Sequence, residues 1–149
     1  MAKPPPIEAK YYFEATPDKV FDALTNPETL TKWFLSSAKI KPVKGSTYTF
    51  KWQGGFTHKG KVKRATKNKS LALTWPDEFK GKTFETEVEF TLRPKGKGTV
   101  LKVRHTGFKK GDDWLWLYGA IQSGWAYYLT NLKSVLGEGV DLRSEHDSP

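Results

Sequence analysis

The stretch Asp113-Trp-Leu-Trp-Leu-Tyr-Gly-Ala-Ile-Gln-Ser-Gly-Trp-Ala-Tyr-Tyr-Leu-Thr-Asn-Leu-Lys-Ser-Val-Leu136 decides the fold. At about 100° per residue, Trp114, Tyr118, Ile121, Trp125, Tyr128, Leu129, Leu132 and Leu136 fall on one side, forming the apolar stripe of a long amphipathic helix. No other segment reads as a long helix, so this one is the element against which a sheet buries its inner face. A second stripe, Trp116, Ala120, Ser123 and Tyr127, lies opposite and is not claimed by that core. It is either a self-association or partner surface, or it is covered by other strands or the N-terminal tail. Gly124 costs a helix about 1 kcal/mol relative to alanine, which predicts a close approach or a bend at that point.

Upstream of the helix, the alternation of Phe84, Thr86, Val88, Phe90 and Leu92 with Glu85, Glu87, Glu89 and Thr91 predicts a strand over Thr83 to Arg93. The run Pro94-Lys-Gly-Lys-Gly98 turns it into a partner strand, Thr99 to Thr106. Setting Leu92 opposite Thr99 pairs Phe90 with Leu101, Val88 with Val103 and Thr86 with His105 on the inner face. The same register sets Glu89 opposite Lys102 and Glu87 opposite Arg104 outside, so the three glutamates read as a cross-strand charge ladder and not as metal ligands or an acid–base pair.

Further back, Leu71, Leu73 and Trp75 form the inner face of another strand, which Pro76 is expected to end, with a loop containing Gly81 after it. The strand Thr57 to Lys67 carries Lys59, Lys61 and Lys63 on one side: a patch for a polyanion or an acidic protein surface, or simply a solvated outer face. Gln53-Gly-Gly55 and Lys44-Gly-Ser46 bracket Thr47 to Trp52, with Tyr48, Phe50 and Trp52 on one face, and Ala38 to Val43 reads as an edge strand. Thr16-Pro-Asp18 and Asn26-Pro-Glu28 each open a short helix, the first carrying Val20, Phe21 and Leu24, the second Leu30, Trp33 and Phe34. Thr29, Thr31 and Lys32 are poor base readers, so this pair is a structural link and not a DNA-binding helix-turn-helix. Ile7, Ala9, Tyr11 and Phe13 mark the inner face of the first strand. One domain over residues 7–137 is expected, between a disordered tail at 1–6 and a polar tail at 138–149.

The 149 residues carry a formal charge of +9, from 25 Lys plus Arg against 16 Asp plus Glu, which raises nucleic acid and acidic membrane surfaces as partners. The aromatics, however, sit at core positions and not among the lysines, which argues against nucleic acid. The absence of cysteine excludes a disulfide framework, a thiol nucleophile and a thiolate metal site, and suits a cytoplasmic location. No membrane span and no signal peptide is evident. No cofactor is expected, because phosphate-loop and dinucleotide glycine spacings are missing.

The segments Val20-Phe-Asp-Ala-Leu-Thr-Asn-Pro27, Leu30-Thr-Lys-Trp33, Lys44-Gly45, Leu73-Thr-Trp75, Gly98-Thr99, His105-Thr-Gly-Phe108 and Gly124-Trp125, followed by Leu129 to Leu132, come in a telling order. Together, over about residues 7 to 139, they resemble the family of the C-terminal domain of the activator of the ninety-kilodalton heat-shock chaperone ATPase, within the START-like (SRPBCC) helix-grip superfamily. The resemblance implies an α+β helix-grip fold: a curved antiparallel sheet of about six or seven strands around a long C-terminal helix, with two short helices between strands one and two. It also implies a cavity between sheet and helix, in which superfamily members often hold apolar molecules and a minority perform catalysis. The eukaryotic activators carry a further N-terminal domain, so chaperone activation does not transfer to this chain with the family name.

The cavity-facing candidates are Trp33, Phe34, Phe50, Trp52, Trp75, Phe90, Tyr118, Ile121, Trp125 and Tyr128, with Thr86 and His105 as the polar members. His105 is the only histidine expected to face inward; it lacks a companion for acid–base work. His58 lies near a turn and His146 in the polar tail, too scattered for a zinc site. Asp112 and Asp113 suit the start of a helix without any catalytic role. The expected function is non-catalytic binding of a hydrophobic small molecule, lipid-like, polyketide-like or aromatic. The alternatives are a chaperone-associated interaction module using the basic strands, and a cyclase-like or hydrolytic enzyme built around His105.

Overall fold

The computed structural model describes residues 2–143. The elements run β1 (Ile7–Phe13), α1 (Pro17–Thr25), α2 (Pro27–Trp33), β2 (Ser37–Lys39), β3 (Thr47–Lys51), β4 (Thr57–Thr66), β5 (Ser70–Phe79), β6 (Lys82–Lys95), β7 (Gly98–Thr106) and α3 (Asp112–Glu138). The seven strands form one antiparallel sheet in the order β1-β7-β6-β5-β4-β3-β2, which with the long α3 makes the α+β helix-grip architecture. Residues 2–6 belong to no regular element, and residues 144–149, with His146, lie outside the described residues.

Alternation sets the inner face. Phe13, Phe50, Leu71, Leu73, Val88, Phe90, Leu101 and Val103 are all buried, and Trp125, Leu129 and Leu132 of α3 close over them. Leu117 is buried as well, whereas Trp114, Tyr118, Ile121, Tyr128 and Leu136 of the expected stripe are only half-buried.

Local chemistry explains the helix ends. Asn26 caps α2, its side chain accepting from Glu28 N at 3.0 Å. Thr16 precedes α1 but its hydroxyl bonds the Asp18 carboxylate, leaving its carbonyl to accept Lys19 N and Val20 N. α3 ends on Gly139 in the left-handed region, φ 73°, with its N–H on Val135 O. Immediately beyond, Asn131 binds the chain end to the core: its Nδ2 donates to Trp33 O and Asp141 Oδ1, and its Oδ1 accepts from Leu142 N. Arg143 donates to Leu35 O and Thr31 O.

Four expectations need correction. The β6–β7 register sets Leu92 opposite Leu101, Phe90 opposite Val103, Val88 opposite His105 and Glu89 opposite Arg104, two residues away from the expected pairing. The cause is a two-residue connection, Gly96-Lys97, between the paired Lys95 and Gly98, with Gly96 at φ 58°. The edge strand is shorter than Ala38 to Val43 and comprises Ser37–Lys39.

The charge ladder is real but its partners differ. A bulge between Val62 and Arg64 exposes both Lys63 and Arg64, which reach across β5 to Glu87 at 3.3 Å and Glu89 at 2.5 Å. Ala72 lies between Arg64 and Glu89 in the register, small enough to be bridged, and is wholly buried on the outer face. Arg104 pairs instead with Glu8 of β1 at 3.1 Å.

Finally, Pro76 does not end β5. The strand continues to Phe79 and turns through Lys80 and Gly81, both at positive φ (52° and 74°), straight into Lys82. Proline is tolerated because the β4–β5 ladder runs only from Val62–Leu73 to Thr66–Ser70, so beyond Leu73 no neighbour on that side needs its missing N–H. Side chains take over from the ladder there. Tyr48 Oη donates to Thr74 O at 2.6 Å, and Lys61 N donates to Thr74 Oγ1 at 2.8 Å.

Candidate functional site

That break in the ladder places the site. Between β3–β4, β5 and the middle of α3 is a cavity of about 440 Å³, lined by Phe34, Trp52, Gln53, Phe56, His58, Trp75, Asp77, Ala120, Ile121, Gly124, Trp125 and Tyr128. Its wall is a set of interlocked rings. Phe34 meets Trp52 at 5.3 Å and Tyr128 at 4.9 Å edge to face, and Trp75 lies 5.3 Å from Trp125. Volume and lining are those of a small-molecule site, mostly apolar with a few placed polar groups.

Six of the sequence candidates therefore line one space: Phe34, Trp52, Trp75, Ile121, Trp125 and Tyr128. The others do not. Trp33 stacks behind Phe34 at 4.8 Å and donates Nε1 to Ala23 O, sealing the core under the short helices. Phe50 and Phe90 form a second layer, behind Phe34 and Trp125, around a void of only about 10 Å³. Tyr118 packs on Phe108 at 5.0 Å, away from the cavity.

Thr86 and His105 meet, but as structure. Trp125 Nε1 can only donate, and it donates to His105 Nδ1 at 3.0 Å, which fixes the proton of the neutral ring on Nε2. That nitrogen stands 2.7 Å from Thr86 Oγ1, whose own proton goes to Trp75 O at 2.8 Å. Every donor in this chain has an acceptor. Burial, with a smaller repulsion from His58, pushes the His105 imidazole down to about 3. A second ring proton would set Nδ1–H against the indole N–H. His105 is thus spent on fixing the Trp125 indole, one wall of the cavity, and is tied through Thr86 to the backbone carbonyl of Trp75.

The polar lining residues missed by sequence reasoning are the exposed Gln53 and the more deeply set His58 and Asp77. Contrary to expectation, His58 also faces inward: it is buried, its ring lies 4.3 Å from Trp75, and its Nδ1 is 3.7 Å from Asp77 Oδ1. Neither His58 Nε2 nor Asp77 Oδ2, both buried, has a hydrogen-bond partner. Burial holds the His58 imidazole down to about 4 and pushes the Asp77 carboxyl up to about 7, so both groups favour their neutral forms. The signals were in the sequence. Lys59, Lys61 and Lys63 pointing out forces His58 in, and the inner series Leu71, Leu73, Trp75 reaches Asp77 once Pro76 is allowed inside the strand.

Outside the sheet, a groove of about 700 Å³ carries Lys39, Lys51 and Lys59, and shares Phe56, His58 and Asp77 with the inner cavity. On α3, Gly124 lines the cavity with no atom within 4 Å of where its Cβ would stand, so the expected close approach is absent and the glycine leaves space open instead. Of the opposite stripe, Ala120 also lines the cavity and Ser123 is exposed. Trp116 stacks on Phe79 at 4.5 Å, with more than half its surface open, and Tyr127 meets Tyr128 edge to face. Among the described residues no group of three or more His, Cys, Asp or Glu could hold a metal ion, and no helix is long and apolar enough to cross a membrane.

The sequence profile of one family, the Activator of Hsp90 ATPase homolog 1-like proteins, matches residues 14–137. The chain belongs to that family. Among solved structures, a protein from Mesorhizobium loti is similar at 25% identity and TM-score 0.80, over 89% of this chain and 96% of that one. The Aha1 dimer from Colwellia psychrerythraea is similar at 26% identity and TM-score 0.77, over 91% and 98%. DynU16, from the dynemicin biosynthetic locus, shares 20% identity at TM-score 0.77, over 91% of this chain and 48% of its own, a likeness of fold alone. No curated protein sequence matches significantly. For this member of the activator-homologue family, the fold is thus family architecture.

Proposed function

We propose that this protein binds an apolar, aromatic-sized small molecule without catalysing its conversion. The observation that carries the reading is the 440 Å³ cavity walled by Phe34, Trp52, Trp75, Ile121, Trp125 and Tyr128. Two features support binding over turnover: His105, the enzyme candidate, is hydrogen-bonded on both nitrogens, and that same network holds the Trp125 indole in the cavity wall. A cysteine-free chain of this kind suits a cytoplasmic carrier.

The test is to fill the space. Gly124→Leu puts a side chain into open volume and keeps the helix, so it is expected to melt at or above the parent temperature while losing ligands. Co-purifying molecules are read by native mass spectrometry, and lipid, polyketide and aromatic panels by tryptophan fluorescence and melting temperature. No ligand and no shift in the parent protein overturns the reading.

A second reading rests on family membership: a chaperone-contacting module using the exposed Lys59, Lys61 and Lys63, or one that self-associates as the Colwellia relative does. A pull-down with purified chaperone plus an ATPase assay, and sedimentation of the protein alone, separate these from a carrier.

A further inference from the structure

The cavity has one polar end, and it is built from two strands that no longer pair. Pairing between β4 and β5 stops at Val62–Leu73. Four residues further on each strand, His58 and Asp77 face each other across the gap, too far apart at 3.7 Å for a hydrogen bond. His58 is only 6% exposed. Elsewhere in the interior the polar side chains are served: Thr25 bonds Phe21 O, Thr99 bonds Ala15 O, Asn131 makes three bonds, and His105 and Thr86 serve each other. Among the described residues, His58 Nε2 and Asp77 Oδ2 are the buried side-chain atoms left without a partner. A fold that satisfies its other buried polar groups and leaves these two neighbouring ones unpaired, in two residues that line a cavity, has kept their hydrogen bonds for a ligand that enters and turns the side chains toward it.

We infer that His58 and Asp77 form a recognition subsite for one edge of a flat aromatic ligand bearing a neutral hydroxyl or amide group, which donates to one of them and accepts from the other. This rests on the binding function proposed above and names its ligand class. Flatness follows from the walls: the His58 ring lies against Trp75, and Trp52 stands edge-on to both, 5.8 Å from His58 and 6.3 Å from Trp75, so the space beside the polar pair is bounded by ring faces and edges. Neutrality follows from charge. No lysine or arginine lines the inner cavity, so an anion finds no counter-charge, while Lys39, Lys51 and Lys59 outnumber Glu78 on the outer side of the same pair and disfavour a cation. A hydroxyl or an amide is the group that satisfies a carboxyl and an imidazole together.

Three probes of one shape decide it: 2-naphthol, 2-methylnaphthalene and 2-naphthylmethylammonium, each titrated calorimetrically into the full chain. In the parent protein 2-naphthol is expected to bind roughly tenfold or more tightly than 2-methylnaphthalene, the factor of one satisfied buried pair. In the double variant His58→Phe, Asp77→Leu that preference disappears while the hydrocarbon binds as before. Should the double variant fail to fold, Asp77→Asn is read instead, and the imidazole nitrogen resonances of His58 in the parent must shift with 2-naphthol and stay put with the hydrocarbon. Equal binding of naphthol and hydrocarbon overturns the subsite and leaves the cavity function standing. Tighter binding of the ammonium overturns the neutral-ligand assignment. If neither naphthol nor hydrocarbon binds, and the wider panel is also silent, the cavity function itself fails.

Discussion

At the scale of single residues, what distinguishes the two buried histidines is not depth but partnership. His105 has an acceptor role toward Trp125 and a donor role toward Thr86, and removing either neighbour leaves a buried atom unpaired. Trp125→Phe keeps the ring contacts with Phe34 and Trp75 but orphans His105 Nδ1. Thr86→Val orphans His105 Nε2, while Trp75 O keeps its place in the ladder with β6. Each is expected to lower unfolding free energy by about 1–3 kcal/mol, as measured by urea denaturation. A loss below the error of the method for both removes the network as a source of order in the cavity.

The same residues give the protein an acid-sensitive stability of known sign. His105 and His58 titrate at about 3 and about 4 in the fold against 6.5 ordinarily, so the unfolded chain takes up these protons first. Their contribution is complete above about pH 6.5 and is lost as the pH falls toward 4 and then 3. Asp77 runs the other way: raised to about 7 from 3.8, its contribution is present below about pH 3.8 and is lost as the pH rises to 7. Asp77→Asn removes that opposing slope. The variant is expected to gain stability relative to the parent between pH 4 and pH 8, by up to about 4 kcal/mol, in melting curves taken across the range. A difference that stays flat with pH would mean that Asp77 is ionised in the fold throughout.

At the scale of elements, two glycines mark where the site is open and where it is closed. Gly124 of α3 faces empty space, so Gly124→Ala restores helix propensity at no steric cost and is expected to stabilise by up to about 1 kcal/mol. Gly60 of β4 is the opposite case. A Cβ there would stand 2.5 Å from Tyr48 Cε2 and 2.8 Å from Thr74 O, and Tyr48 is fully buried and tied to Thr74, so neither neighbour can retreat. Gly60→Ala is expected to destabilise by about 1–3 kcal/mol in the same denaturation assay. Gly60 lets the tyrosine pass under the strand at the point where the ladder gives way. Without that passage β4 and β5 would have room to pair on toward His58 and Asp77.

These elements also show what the sequence could and could not reveal. Period-two alternation identified the inner face of nearly every strand, and the helical stripe identified α3, because burial on one face writes itself into composition. Register is a different matter. Leu92 opposite Thr99 and Leu92 opposite Leu101 differ by two residues, so both keep the same side chains inside and the same charges outside, and only the turn at Gly96-Lys97 discriminates. Pro76 misled for a related reason: its meaning depends on whether a neighbouring strand is bonded at that position, a tertiary fact. Placing the strand end there hid Asp77, and with it the partner that gives His58 its interest. The aromatic half of the cavity was legible; its polar end required knowing where two strands part.

At the scale of the whole molecule, the ladder break divides the sheet into unequal parts. β5, β6, β7 and β1 are bonded along their lengths and lie beneath Leu129 and Leu132 of α3. The β2–β3 pair and the first half of β4 are bonded to each other and to the rest chiefly through the short Val62–Thr66 segment and a few side chains. Few bonds across a boundary mean a low free energy for opening there, without global unfolding. Hydrogen exchange followed by mass spectrometry is expected to show amides of Thr47–Lys51 exchanging at least about tenfold faster than those at the centre of β6. A ligand in the cavity touches both parts, Trp52 and His58 on one side and Trp75 and Asp77 on the other, and so should slow the first group selectively. If the two groups exchange alike, or if a bound ligand protects them equally, the sheet opens as one unit, and the route into the cavity lies along α3 rather than between β4 and β5.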